Sequence, residues 1–322
     1  MTADMRPMNL GEILDRTFQI YRAKFPLFIG IAAIPALVIL SIHVADISWL
    51  NIRPPFSLKD RGSVAIWSFL YWLGYYHLSV FLSLLIYPAL SKLASNLTLG
   101  EIGTAMSSMR FTLARWRSYL WVAILKLSAE LLIPEIVIVS LYIGLFYLSY
   151  ATGQFKSLGV TLLLLLVAIP VLTGGALFLW FGATLSLTVP ACALEQITGT
   201  RALRRSWALT KDSRLRILAA WMMIVITSIS MAVGLRLLLR LVVWIFLGHQ
   251  IEATSSRLYV ESYYVLYAAI STLIAPIYPI SITLFYYDQR IRKEGYDIDR
   301  MMEAAGLSAS ITTPVEVKVV EV

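Results

Sequence analysis

The sequence predicts an all-α, polytopic integral membrane protein of about six transmembrane helices, with three amphipathic helices on the cytoplasmic surface. Three observations carry that prediction. Hydrophobic residues make up 59% of the 322 and charged residues only 14%, whereas soluble domains run near half apolar and a quarter charged. Uncharged stretches of about 20 residues or more recur along the chain, each long enough to cross a hydrocarbon core of roughly 30 Å. Lysine and arginine sort by side: 19 of 27 lie in the N-terminal segment, 92–117, 201–216 and the C-terminal segment, against five in 46–63, 149–157 and 248–257. By the positive-inside rule the rich side is cytoplasmic, which places both termini in the cytoplasm.

In chain order, the first 24 residues are polar. The apolar run that follows lacks a small-residue cleavage site, so it reads as a retained span and not as a signal peptide. The expected spans are 25–45, 64–91, 118–148, 158–190, 215–247 and 258–287. Pro35, Pro134, Pro170, Pro276 and Pro279 lie in them or near their ends, where neighbouring helices can satisfy the freed carbonyls, and Pro134 is expected to kink the third. Trp67, Phe69, Tyr71, Trp72, Tyr75 and Tyr76 open the second span as an interfacial belt on the outer face, or else as core packing. Gly174, Gly175 and Gly182 read as small residues that allow close helix contact.

An internal repeat is the most informative pattern. Asn9-Leu10-Gly11-Glu12 recurs as Thr98-Leu99-Gly100-Glu101, and both fit a capping box. An apolar face follows each box: Leu10, Ile13, Leu14, Thr17, Phe18 and Tyr21 in the first, and Ile102, Met106, Met109, Leu113 and Trp116 in the second. A third stretch, 195–212, lacks the box but sets Arg201, Arg204, Arg205 and Lys211 opposite Leu203, Trp207 and Leu209. These are helices built to lie on a membrane, where they bind anionic lipid or a partner protein, or simply anchor the chain. The implied organisation is one membrane domain, 1–303, of three approximate repeats (8–91, 98–190 and 195–288), each a surface helix followed by two spans. The tail 304–322 reads as disordered, or as a strand completed by a partner.

Ionisable residues within spans are costly and call for a role. Lys126, Glu130, Glu135, Arg236 and Arg240 are such residues, with Glu261 and Asp288 nearer span ends. Lys126 and Glu130 are four apart and can pair along one helix face. Counted from the cytoplasmic ends, Glu135 and Arg236 reach similar depth, so they are expected to be close, with Arg240 alongside. The set is either a structural salt bridge or a polar cavity for a charged or zwitterionic head group.

Other chemistries lack their residues. The single cysteine, Cys192, rules out an internal disulfide, and His43, His77 and His249 show no metal spacing; no metal or cofactor is expected. His77 reads as a packed or hydrogen-bonded helix residue. No phosphate-binding loop, dinucleotide fingerprint or hydrolase motif occurs. The net charge of +8 falls at span ends, where lipid head groups account for it better than nucleic acid does.

Three segments, RPMNLGEILDRTFQIYRAKF (6–25), PACALEQITGTRALRRSWALTK (190–211) and PIYPISITLFYYDQRIRKEGYDID (276–299), resemble bacterial proteins carrying the glycerophosphoryl diester phosphodiesterase membrane domain. The resemblance spans about 6–303. It implies a membrane module and not the hydrolysis, because the phosphodiesterase barrel and its metal ligands belong to a separate domain that is not present in this sequence. It brings no assigned site residues. Glu195, Arg201, Arg204, Arg205, Ser206 and Trp207, and the closing Tyr287, Asp288, Arg290, Arg292, Lys293 and Glu294, are motif positions without an assigned role. Gln196 stands where the pattern leads one to expect glycine, and Asp212-Ser213 where a basic-glycine turn is commoner.

Two functions follow as expectations: a non-catalytic module that organises anionic lipids or partner membrane proteins, and a transporter or lipid translocator using the intramembrane charges. An intramembrane enzyme would need a nucleophile and base at recognisable spacing, which the sequence does not offer.

Overall fold

A computed structural model describes residues 6–45, 61–151, 160–247 and 257–304. Among the described residues the chain is helical, with no strand: α1 (Leu10–Ala23), α2 (Phe25–Ala45), α3 (Arg61–Thr98), α4 (Ala105–Ala114), α5 (Trp116–Leu127), α6 (Ile133–Ala151), α7 (Val160–Thr184), α8 (Thr188–Leu194), α9 (Thr200–Thr210), α10 (Arg214–Leu247), α11 (Arg257–Ile274), α12 (Ile277–Glu294) and α13 (Tyr296–Ala304). The side chains of Trp67, Phe69, Tyr71, Trp72 and Glu261, most of the expected outer loops, and the tail from 305 lie outside the described residues.

Among the described residues, five stretches are long and apolar enough to cross a membrane: Phe25–Ile42, Leu73–Thr98, Ala168–Leu194, Arg214–Val242 and Tyr264–Glu294. They coincide with five of the six expected spans, and the protein is an all-α polytopic membrane protein. The remaining expected span, 118–148, is a composite: α5 passes through a π turn, Ser128–Leu132, into α6. The distortion expected at Pro134 takes this form because proline has no N–H to donate and crowds the preceding turn, which a wider π turn relieves.

Two further spans are discontinuous. α7 stops at Thr184 and α8 begins at Thr188; α11 stops at Ile274 and α12 begins at Ile277, after Pro276. The first break, within the apolar stretch Ala168–Leu194, frees carbonyls that need donors. Thr184 O accepts from Ser206 Oγ at 2.7 Å and Thr210 Oγ1 at 3.1 Å, and Leu185 O accepts from Lys126 Nζ at 3.0 Å.

α12 is the axis of the core. Every residue from Pro279 to Gln289 is buried, and α1, α3, α8, α9 and α10 pack around it. α6 runs along α7, and a Cβ on Gly174 would lie 2.1 Å from Ile138 Cγ1, so only glycine fits there. A Cβ on Gly175 or Gly182 would meet nothing within 4 Å, so the close contact expected of those two is not what they provide.

The first capping box forms as read: Asn9 Oδ1 accepts from Glu12 N at 2.8 Å, and Glu12 Oε2 accepts from Asn9 N at 2.7 Å. The second does not. Thr98 closes α3, Gly100 has φ +76°, and Glu101 N donates to Asn96 O at 2.7 Å and Gly100 N to Leu97 O at 3.3 Å. This is a Schellman ending, which needs the left-handed conformation glycine adopts without strain. α4 starts later, capped by Thr104 with Ser107.

Candidate functional site

α1, α4 and α9 lie at the same end of the bundle, where α3, α8 and α12 arrive and α2, α5 and α10 depart. A polar network locks that end. Asp288 is fully buried; its carboxylate accepts from Met8 N at 2.8 Å and from Arg292 Nε at 3.0 Å, and it pairs with Arg216 at 3.4 Å. Arg216 and Arg292 also donate to Met8 O at 2.7 and 2.8 Å. A buried carboxylate is tolerated when its partners saturate it, and here those partners tie the N-terminal segment to α12.

A second network joins α8, α9 and α12. Glu195 accepts from Arg205 Nε at 2.8 Å and Tyr286 Oη at 2.7 Å, and Glu294 accepts from Arg205 Nη2 at 2.8 Å and Arg290 Nε at 2.9 Å. Partial burial disfavours the Arg205 charge, but the bonds to Glu294 and Glu195 outweigh it and hold the pKa above the usual arginine range. Lys293 pairs with Asp212 at 2.9 Å, which gives the unexpected Asp212 a partner. Gln196 has φ +58°, a left-handed conformation that explains why glycine is expected there.

The three surface helices share a finer pattern. Placed at 3.6 residues per turn, each shows three faces in the same rotational order. First comes a buried face: Ile13, Thr17 and Ile20 in α1; Ser108 and Thr112 in α4; Ala202, Ser206 and Leu209 in α9. Next is an apolar flank without full cover: Leu14 and Phe18; Met106 and Leu113; Leu203 and Trp207. Last is an exposed polar face: Asp15, Gln19 and Arg22; Ser107 and Arg110; Arg201 and Arg204. The apolar face expected of the first stretch divides in two, with Ile13 and Thr17 buried and Phe18 exposed, and that of the third likewise, with Leu209 buried and Trp207 exposed. In the second, Ile102, Met106, Leu113 and Trp116 are all exposed, only Met109 packs against the core, and Ile102 and Trp116 lie outside α4. Of the expected basic surface, Arg201, Arg204 and Lys211 are exposed, whereas Arg205 is committed to Glu195 and Glu294.

Within the spans, α3, α5, α7, α10, α11 and α12 with the π turn enclose a cleft of about 350 Å³. Its polar lining includes Tyr76, Tyr87, Lys126, Glu130, Tyr267 and Tyr278, its apolar lining Leu84, Phe178, Trp221 and Ile224. Tyr76 and Tyr267, 43% and 41% exposed, form part of its rim. Lys126 and Glu130 form an ion pair in it, as their spacing predicts. The serines Ser83, Ser228 and Ser271 bond back to carbonyls of their own helices.

The other expected members lie elsewhere. Glu135 Oε2 is 3.1 Å from Nε2 of His77, whose Nδ1 bonds Leu73 O at 2.7 Å, so the partner found is a histidine of α3 and not Arg236. The Glu135–His77 contact is close but not aligned as a hydrogen bond. Arg236 and Arg240 are on exposed positions of α10 and do not line the cleft. Depth counted along separate helices leaves out which face each one turns inward. Sequence reasoning places Tyr76 only in the aromatic belt or in core packing and does not single out Tyr87, Tyr267 and Tyr278; a recurrence of tyrosine within spans, where an apolar residue costs less, is the available signal.

Residues 163–301 match the membrane domain of glycerophosphoryl diester phosphodiesterase. The match takes in most of α7 and the helices through α12, including two of the three segments that carry the resemblance in sequence, and it falls on the membrane part of that family, not on its catalytic domain. No curated protein and no solved structure matches the chain.

Proposed function

We propose that this membrane protein, with the phosphodiesterase membrane domain at residues 163–301, is a non-catalytic module that holds anionic lipid, and through it partner membrane proteins, at its inner surface. The observation that carries this reading is the common order of faces on α1, α4 and α9. An apolar flank beside an exposed polar face sets a helix at head-group level, and arginines there attract anionic lipid at about 1 kcal/mol each. The same recurrence supports three repeats within one domain. The excess of basic residues at this end supports a cytoplasmic location for both termini in a bacterial inner membrane.

The test is native mass spectrometry of the protein extracted with its membrane. Replacing Arg201, Arg204 and Lys211 together by glutamine is expected to reduce retained anionic lipid severalfold, with the fold intact by circular dichroism. Unchanged retention would overturn the reading. Arg205→Gln is a poor probe, since its loss disturbs Glu195 and Glu294. A lipid translocator is the second reading, favoured by the cleft beside the α7–α8 break. Reconstituted vesicles that exchange labelled lipid between leaflets faster than protein-free vesicles would establish it over the first.

A further inference from the structure

We propose that the intramembrane cleft is a binding site for a zwitterionic lipid head group, with the phosphate at Lys126 and the ammonium at Glu130. Lys126 is about 15 Å along α5 from its start, and its ammonium meets Leu185 O at the α7–α8 break, inside a stretch apolar enough to cross a membrane. The cleft volume of about 350 Å³ lies in the range of small-molecule sites, and its apolar walls at Phe178, Trp221 and Ile224 suit the upper part of an acyl chain.

The charge of the site selects the ligand class. Lys126 and Glu130 are in contact and sum to zero. In low dielectric a net anion would meet Glu130 and a net cation would meet Lys126, each unfavourably, whereas a zwitterion meets both with opposite charge. Bonding capacity is also left over. Lys126 spends two of its three donors, on Glu130 and on Leu185 O. Glu130 Oε2 and the hydroxyls of Tyr87 and Tyr278 make no hydrogen bond among the described residues. A salt bridge serving only the fold would need none of these groups, and in a bilayer unsatisfied polar atoms are expensive. No residue of the basic surface lines the cleft, so this site stands or falls apart from the surface reading.

The test is lipid titration of the purified full chain in nanodiscs, followed by native mass spectrometry, with phosphatidylethanolamine, phosphatidylglycerol and chain-free phosphoethanolamine as probes. Wild type is expected to retain phosphatidylethanolamine about tenfold better than phosphatidylglycerol. Tyr87→Phe with Tyr278→Phe, which leaves the ion pair and the packing, is expected to reduce that preference severalfold, and Glu130→Gln to abolish it. Equal retention of the two lipids by wild type, or a preference unchanged in the double tyrosine variant, would overturn the proposal. Binding of phosphoethanolamine as tight as that of the lipid would overturn the assignment to a lipid.

Discussion

The two halves of the bundle solve opposite problems. At the end carrying α1, α4 and α9, charges are abundant and closely paired: Asp288 draws Met8, Arg216 and Arg292 together, and Arg205 bridges Glu195 and Glu294. Toward the other end, α6 and α10 turn Ile136, Ile143, Leu237, Leu238 and Trp244 outward, all more than half exposed. In water such a surface would aggregate; in lipid it is the natural exterior. The comparison teaches that the first half is specified by bonds with direction, and the second by solvent and by close fit.

The largest effect should come from breaking the first half. Asp288→Ala leaves Arg216 and Arg292 around a site that holds no countercharge, and is expected to cost about 3–5 kcal/mol, read as a drop in thermal midpoint in detergent. The second half should break through fit. Gly174→Ala forces Ile138 aside and is expected to cost about 1–3 kcal/mol, with Ile138→Ala restoring most of the loss in the double variant; no rescue would show that α6 and α7 are not held by this contact. A smaller change of opposite sign is expected at the edge of the network, where Gln196→Gly should relieve the left-handed strain and stabilise by about 1 kcal/mol. The smallest concerns Glu12, partly exposed at the surface, whose bonds to Asn9 N and then to Arg6 lower its pKa below the ordinary 4.5. Its contribution is complete above pH 4.5 and disappears as pH falls through the lowered value, so hydrogen exchange at the start of α1 should rise with acid while α12 stays protected.

Legibility followed distance along the chain. The Lys126–Glu130 pair and the Asn9–Glu12 box lie within one helical turn, where spacing alone brings side chains together, and both form. The Thr98–Glu101 segment has the same spacing, yet it ends a helix. Gly100 was the readable sign, since a glycine just past the last helical residue marks a C-terminus. The His77–Glu135 contact, the Asp288 hub and the tyrosines around the cleft join helices far apart in sequence, and periodicity carries no record of which faces will meet.

By itself the sequence determined the solvent, the helical class, the position of most spans and the side on which basic residues gather. These depend on composition and on local length, which add up residue by residue. Tertiary structure alone decided that Arg205 serves an internal network while Arg201 and Arg204 stay exposed, that Asp288 holds the N-terminal segment, and that a polar cleft forms around Lys126. Each of those outcomes depends on the rotation and docking of separate helices, where one helical turn changes every partner.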